Sequence, residues 1–177
     1  MTRRIVVTGS ESTGKTTLAR ELAAALGTAW VPEYARDYAS THGALLTADD
    51  VEPIGRGQVA REEDAIALLP RGRDIVLDTD IVSTFVYGEH YYGRAPEWVM
   101  EQASVRRGDL YLLCATDLPW EADGVRDQPH ARDAVHAKFA ARLQSLGAIV
   151  LPVTGRGSRR VQVALAAVRG WRAAMAR

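Results

Sequence analysis

Short, near-continuous apolar runs alternate along this chain with longer stretches in which apolar residues recur every three to four positions. The runs cover residues 5–8, 74–78, 110–115 and 148–153, each bounded by charged residues, glycine or proline. Their shortness and lack of polar alternation predict strands buried on both faces. A weaker run at 28–31 follows the first helical stretch. Helical periodicity covers 17–26, 33–41, 51–69, 81–91, 97–107, 133–146 and 158–176. Strands that alternate with helices in this way predict an α/β fold, with a five-stranded parallel sheet covered on both faces. No Pro/Gly/Ser-rich linker divides the chain, so residues 1–177 are expected to form one domain.

The first strand runs into Gly9-Ser10-Glu11-Ser12-Thr13-Gly14-Lys15-Thr16, which fits G-x-x-x-x-G-K-[ST]. A helical pattern comes directly after it, giving the strand–loop–helix context this phosphate-binding loop requires. Its glycines let the backbone wrap a phosphate chain, and the helix N-terminus adds a positive dipole end. The motif assigns Gly9, Ser12, Thr13, Gly14, Lys15, Thr16 and Thr17 to an ATP site. Lys15 is expected at the β- and γ-phosphates, and the Thr16 hydroxyl at Mg²⁺.

Ligands of open parallel sheets bind at the carboxyl ends of the strands. Four more segments fall on that edge. Asp78 closes the run Ile75-Val76-Leu77 and fits an aspartate that holds Mg²⁺ opposite Thr16. The competing reading of Asp78-Thr79-Asp80 is helix capping, with Thr79 or Asp80 starting the next helix. Glu33 follows Pro32 at the end of the second strand, where a carboxylate can accept the proton of an attacking hydroxyl. A first-turn glutamate favoured by the helix dipole is the alternative. Arg36, one turn on, can orient Glu33, bind substrate or form an ordinary ion pair. Trp120 lies in a polar loop and offers either a stacking face for a flat ring or partial packing. Residues 117–132 read as a lid bearing Arg126 and Arg132, which can stabilise a transferring phosphoryl group. Tyr87, Tyr91 and Tyr92 form an aromatic cluster near the acceptor side, with Tyr87 expected in the core and Tyr91 or Tyr92 able to line a substrate pocket.

Composition narrows the classes. Lys+Arg and Asp+Glu number 22 each, and a net charge of zero argues against a general nucleic-acid or membrane-surface binder. Cys114 stands alone in an apolar run, which predicts a buried, inert thiol. The histidines (His42, His90, His130, His136) have no metal-ligand spacing. With no leader-like N-terminus and no membrane-length apolar run, a cytoplasmic location is expected.

Taken in order, the P-loop, Glu33-Tyr34-Ala35-Arg36-Asp37, Asp78-Thr79-Asp80, Tyr91-Tyr92-Gly93-Arg94 and Pro119-Trp120-Glu121-Ala122-Asp123-Gly124-Val125-Arg126 resemble the ribosylnicotinamide kinase domain of NadR-like proteins. The resemblance covers nearly the whole chain and implies a three-layer P-loop kinase fold. It implies ATP- and Mg²⁺-dependent phosphorylation of the 5′-hydroxyl of nicotinamide riboside to nicotinamide mononucleotide, a NAD-salvage step. On that basis the catalytic candidates are Lys15, Glu33, Asp80 and Arg126. Glu33, Tyr34, Arg36, Asp80, Tyr91, Trp120 and Asp123 become the acceptor-binding candidates. Arg126, Arg132 and Arg159 join the ATP site, the last through the loop at 154–160. The resemblance takes in the kinase domain alone, so it implies neither the adenylyltransferase nor the DNA-binding activity of NadR proteins. Another nucleoside, nucleotide or vitamin-like acceptor, or a regulatory ATPase, is the alternative. Thr79 speaks against the ATPase, because a hydrolytic P-loop protein carries a glutamate after the metal-binding aspartate.

Overall fold

The computed structural model describes residues 2–43, 45–121 and 129–177. Strand β1 (Arg4–Thr8) leads through the P-loop into α1 (Lys15–Leu26), and β2 (Trp30–Val31) into α2 (Tyr34–His42). Helix α3 (Val51–Ala67) precedes β3 (Ile75–Asp78), and α4 (Ile81–Tyr92) and α5 (Glu97–Val105) precede β4 (Leu110–Cys114). Helix α6 (Arg132–Ser145), β5 (Val150–Val153) and α7 (Gly157–Met175) complete the order. The strands form one parallel sheet in the order β2-β3-β1-β4-β5. This is the three-layer P-loop kinase fold, with the five parallel strands expected from the apolar runs.

Alternation along the strands builds two apolar layers. Val6, Leu77 and Tyr111 face Ile81, Phe85, Val99 and Phe139. Ile5, Val7, Val76 and Leu112 face Leu18, Leu22, Val168 and Trp171 on the other side. Each such fully buried side chain stabilises the fold by roughly 1.5–3 kcal/mol. Cys114 belongs to the second layer, and burial raises its thiol pKa, as an inert cysteine requires.

Two strands differ from the pattern. β2 keeps only Trp30 and Val31, because Thr28 is still held by the end of α1 through its N–H to the Ala23 carbonyl. β5 is an edge strand, and Pro152 is exposed there. A proline cannot donate to a ladder and is tolerated on a free edge. The apolar run at 148–153 therefore marks a half-covered strand rather than one buried on both faces.

Strand register decides which loops meet. Val7 lies beside both Asp78 and Leu112, and Cys114 lies beside Val153. The P-loop, the turn Thr79-Asp80, the segment from Ala115 and the turn at Gly155 thus leave the sheet at one edge.

Candidate active site

The P-loop geometry comes from close packing. Gly9 has φ 135°, and a Cβ there would sit 2.9 Å from the Cys114 carbonyl oxygen, so only glycine fits. Gly14 is the N-cap of α1 and offers no side-chain cap, which leaves the first-turn amides open to an anion. Lys15 is buried and lies back over the loop, its Nζ donating to the Ser10 carbonyl at 2.7 Å. The Thr13 hydroxyl donates to the same carbonyl at 2.8 Å. Thr13, Gly14 and Lys15, with Thr16 and Thr17, line a cavity of about 690 Å³.

Its opposite wall is fixed by Arg160, a residue that no sequence motif singles out. The Arg160 guanidinium is 4 % exposed. It donates to Asp117 Oδ1 at 2.8 Å and to the carbonyls of Gly155 (2.7 Å), Thr13 (3.0 Å) and Ala115 (3.1 Å). One side chain therefore ties the P-loop to the ends of β4 and β5. Burial pushes the Asp117 carboxyl up, but the Arg160 and Gly155 hydrogen bonds outweigh it and hold it below the usual range. Arg159, one of three arginines expected at the ATP site, is exposed and lines neither this cavity nor the next. Arg132 donates to the carbonyls of Leu118 and Ser12, at 2.8 and 3.0 Å. It ties the segment after β4 to the P-loop.

Asp78 is fully buried beside Thr16, and neither carboxylate oxygen has a hydrogen-bond partner among the described residues. Burial, then the nearby Glu33 carboxylate, push its pKa up to about 6. The Thr16 hydroxyl, Lys15 and Arg36 pull the other way, Thr16 without reaching good hydrogen-bond geometry. A buried carboxylate with unmatched oxygens next to a hydroxyl is a hard oxygen donor set, the kind Mg²⁺ takes. No cluster of three or more His, Cys, Asp or Glu suited to a metal occurs among the described residues. Two protein oxygens suit a Mg²⁺ that takes its remaining ligands from phosphate and water.

A second, smaller cavity of about 240 Å³ is lined by Glu33, Gln58, Thr79, Tyr87, Tyr91 and Tyr92, among others. Tyr87 and Tyr91 stack with ring centroids 6.0 Å apart. Their hydroxyls reach the P-loop, Tyr87 donating to the Gly9 carbonyl (3.3 Å) and Tyr91 to Glu11 Oε1 (2.7 Å). Thr79 holds φ 66°, a costly conformation for a β-branched residue. It is pinned on one side by its N–H to the Val7 carbonyl and on the other by the cap of α4. Glu33 lines this cavity, whereas Arg36 lines the larger one, and the two pair at 3.4 Å. The ion pair stands where the cavities meet.

Three of the acceptor candidates lie away from both cavities, and Asp80 takes the capping role that was its alternative reading. Asp80 is the N-cap of α4, accepting from the N–H groups of Val82 (3.1 Å) and Ser83 (3.3 Å) and from the Tyr111 hydroxyl (2.6 Å). It lines neither cavity. Burial raises its pKa to about 6. Tyr34 turns its ring away onto α3, where a Cβ on Gly57 would come within 2.0 Å of it and the Arg61 guanidinium lies 4.8 Å from its centroid. Trp120 is half-buried and lines neither cavity, although its neighbours Pro119 and Glu121 line the larger one. Arg126 and Asp123 lie outside the described residues.

A family model described as an AAA domain matches residues 4–160. The chain is 32% identical over 128 residues to the trifunctional NAD biosynthesis/regulator protein NadR of Escherichia coli (strain K12), covering 70% of this chain and 31% of that one. The figures for NadR of Salmonella typhimurium (strain LT2) are the same. The chain thus spans under a third of the length of these curated relatives. Among solved structures, NadR protein in complex with NR superposes with a TM-score of 0.71 at 26% identity, over 96% of this chain and 51% of that one. A thymidylate kinase from Ehrlichia chaffeensis, at 13% identity and TM-score 0.66 over 96% and 98% of the two chains, shows the shared fold. The family match runs from β1 into the first turn of α7, so it takes in the P-loop, Asp78 and the Arg160 wall together, and the chain belongs to this AAA-domain family of P-loop proteins.

Proposed function

We propose that this protein is an ATP-dependent kinase that phosphorylates the 5′-hydroxyl of nicotinamide riboside, giving nicotinamide mononucleotide. The observation that carries a transferase reading is the Glu33–Arg36 pair at the border of two cavities, one behind the P-loop and one behind the tyrosines. A kinase needs two such sites meeting at one point, so that donor phosphorus and acceptor oxygen approach in line.

ATP lies in the larger cavity, its phosphates on the P-loop amides and Lys15. Thr16 and Asp78 would hold Mg²⁺, which would supply charge neutralisation at the phosphate oxygens. The acceptor hydroxyl enters beside Glu33. Its oxygen forms a bond to the γ-phosphorus as the bond from that phosphorus to the β,γ-bridging oxygen breaks. The hydroxyl proton passes to Glu33, and ADP leaves with the bridging oxygen. Lys15 and Arg36 stabilise the charge spread over the transferring group.

The smaller cavity supports the choice of acceptor. No lysine or arginine lines it among the described residues, so it suits a neutral or cationic acceptor and not a nucleoside monophosphate. Arg94 lines a separate surface pocket. Stacked tyrosines and one carboxylate suit a cationic pyridinium ring on a ribose. The NadR structure with bound NR, read as nicotinamide riboside, is the relative that makes this acceptor the first to try.

The test is ADP release with Mg²⁺·ATP against nicotinamide riboside, nicotinic acid riboside, common nucleosides, nucleoside monophosphates and water. Selective turnover of nicotinamide riboside, with nicotinamide mononucleotide as product, is the expected result. Turnover of another acceptor keeps the kinase and discards the substrate. Release that no acceptor changes makes the protein a nucleotide hydrolase and overturns the proposal.

A further inference from the structure

Gln58 sits in the middle of α3 and is 2 % exposed, among buried neighbours that include Val51, Ile54 and Val59. A buried amide in such a row needs partners, and it has two. Its Oε1 accepts the Tyr34 backbone N–H at 2.9 Å, and its Nε2 donates to Glu62 Oε1 at 3.1 Å. Glu62 is itself 2 % exposed. Because Glu62 takes the amide nitrogen, the amide oxygen is committed to Tyr34.

Tyr34 is the first residue of α2, and Glu33 occupies its N-cap position. An N-cap side chain ordinarily turns back onto an amide of its own first turn. Glu33 makes no such bond; its carboxylate lines the smaller cavity and pairs with Arg36. The first amide of α2 is served instead from a neighbouring helix.

We propose that Gln58 is a positioning residue for phosphoryl transfer, capping α2 from outside so that the Glu33 carboxylate stays turned toward the acceptor. This rests on the kinase reading above and on Glu33 as the proton acceptor. Without the external cap, the Tyr34 amide loses its partner, and the start of α2, which carries Glu33 at its N-cap, loses its tie to α3. Loosening that tie would let the Glu33 carboxylate move out of line with the acceptor. Gln58 also lines the smaller cavity, so direct contact with the acceptor is the rival role.

The experiment compares Gln58→Met, which fills the same space without an acceptor oxygen, with Gln58→Glu, which retains that oxygen. Both are measured alone and in a Glu33→Gln background, with Mg²⁺·ATP and nicotinamide riboside. Gln58→Met is expected to lower kcat by about 10- to 100-fold, as a displaced catalytic group does. The acceptor KM should stay within about threefold, and Gln58→Glu should recover most of kcat. In the Glu33→Gln background, Gln58→Met should cost nothing further. An independent readout needs no substrate: exchange of the Tyr34 amide, followed by NMR, should accelerate at least about tenfold in Gln58→Met while β3 amides stay protected.

A raised acceptor KM at unchanged kcat would assign Gln58 to acceptor contact and overturn the proposal. So would an equal loss in the Glu33→Gln background, or an unchanged Tyr34 exchange rate. Failure of the nicotinamide riboside reading shows differently, as a wild type that prefers another acceptor; the same comparisons then run with that acceptor and decide in the same way. A Glu33→Gln variant with full kcat would refute the base and the positioning role together.

Discussion

Arg160→Met removes the charge that joins three loops around the nucleotide cavity while keeping most of the side-chain volume. The wild-type guanidinium makes four hydrogen bonds, one to a carboxylate and three to backbone carbonyls. Breaking a buried charge pair costs about 3–5 kcal/mol when the remaining charge is stranded. Here the Asp117 side chain is 35 % exposed and still accepts the Gly155 N–H at 2.6 Å, so it rehydrates in part. The carbonyls of Thr13 and Ala115 face the interior and lose a charged donor, each a loss of order 1–2 kcal/mol before relaxation. The net destabilisation is then about 2–4 kcal/mol. For a domain of this size that is a fall in Tm of roughly 5–12 °C.

The same substitution frees Thr13 of the P-loop, so the KM for ATP should rise by about tenfold or more with a smaller effect on the acceptor KM. Arg160→Lys should recover little, because one ammonium cannot serve a fork of diverging acceptors. Asp117 adds a pH signature. Its folded pKa is held below the ordinary carboxylate value, so its contribution is full above that value and lost as pH falls through the folded pKa. The stability gap between wild type and Arg160→Met should therefore narrow in acid. Differential scanning calorimetry at pH 7 and pH 3, with ATP kinetics at pH 7, measures all of this. A Tm fall under about 2 °C, with ATP affinity unchanged, would show that water replaces the guanidinium and would refute the reasoning.

Other perturbations test separate parts. Lys15→Ala should abolish transfer while circular dichroism shows an intact fold; full activity would remove the P-loop assignment. Gly9→Ala places a methyl 2.9 Å from the Cys114 carbonyl at a φ of 135°, and should weaken ATP binding at least tenfold by calorimetric titration. Glu62→Gln should flatten the pH dependence of stability. Burial, then the Asp80 carboxylate, raise the Glu62 pKa to about 8, so wild-type stability is full below the ordinary glutamate value and lost as pH rises toward 8. The variant should exceed wild type by a few kcal/mol above pH 8 and match it near pH 4.5, and parallel denaturation curves across that range would refute the shift.

How legible each feature was in the sequence depends on how many distant atoms decide it. Buried parallel strands are apolar on both faces, so β1, β3 and β4 stand out whatever packs on them. The edge strand β5 needs less cover than its apolar run suggests, and only Pro152 hinted at that. The P-loop was legible because strand, glycines, lysine and helix are contiguous in the chain. Side-chain direction is not legible in this way. Arg159 and Arg160 are adjacent, but successive helical residues point about 100° apart, so one is exposed and the other is the buried clamp. Capping by Asp80 was among the sequence readings, but the Tyr111 hydroxyl that occupies its other oxygen comes from a distant strand and had no local signal. Tyr34 likewise turns toward α3 because Gly57 leaves room for its ring.

The residues that escaped the motifs share one trait that was present in the sequence. Arg160 heads a buried stripe with Ala164, Val168 and Trp171, and Gln58 and Glu62 fall among Val51, Ile54 and Val59 on the buried side of α3. A polar residue on an otherwise apolar helical stripe cannot be there for packing alone, since its burial without partners would be costly. It must hold something, and in both helices what it holds is backbone at the border of a cavity: the Thr13 carbonyl in one, the Tyr34 amide in the other. The motif residues thus identify the phosphate site, while the breaks in the helical stripes identify the side chains that keep its loops, and the helix carrying Glu33, in place.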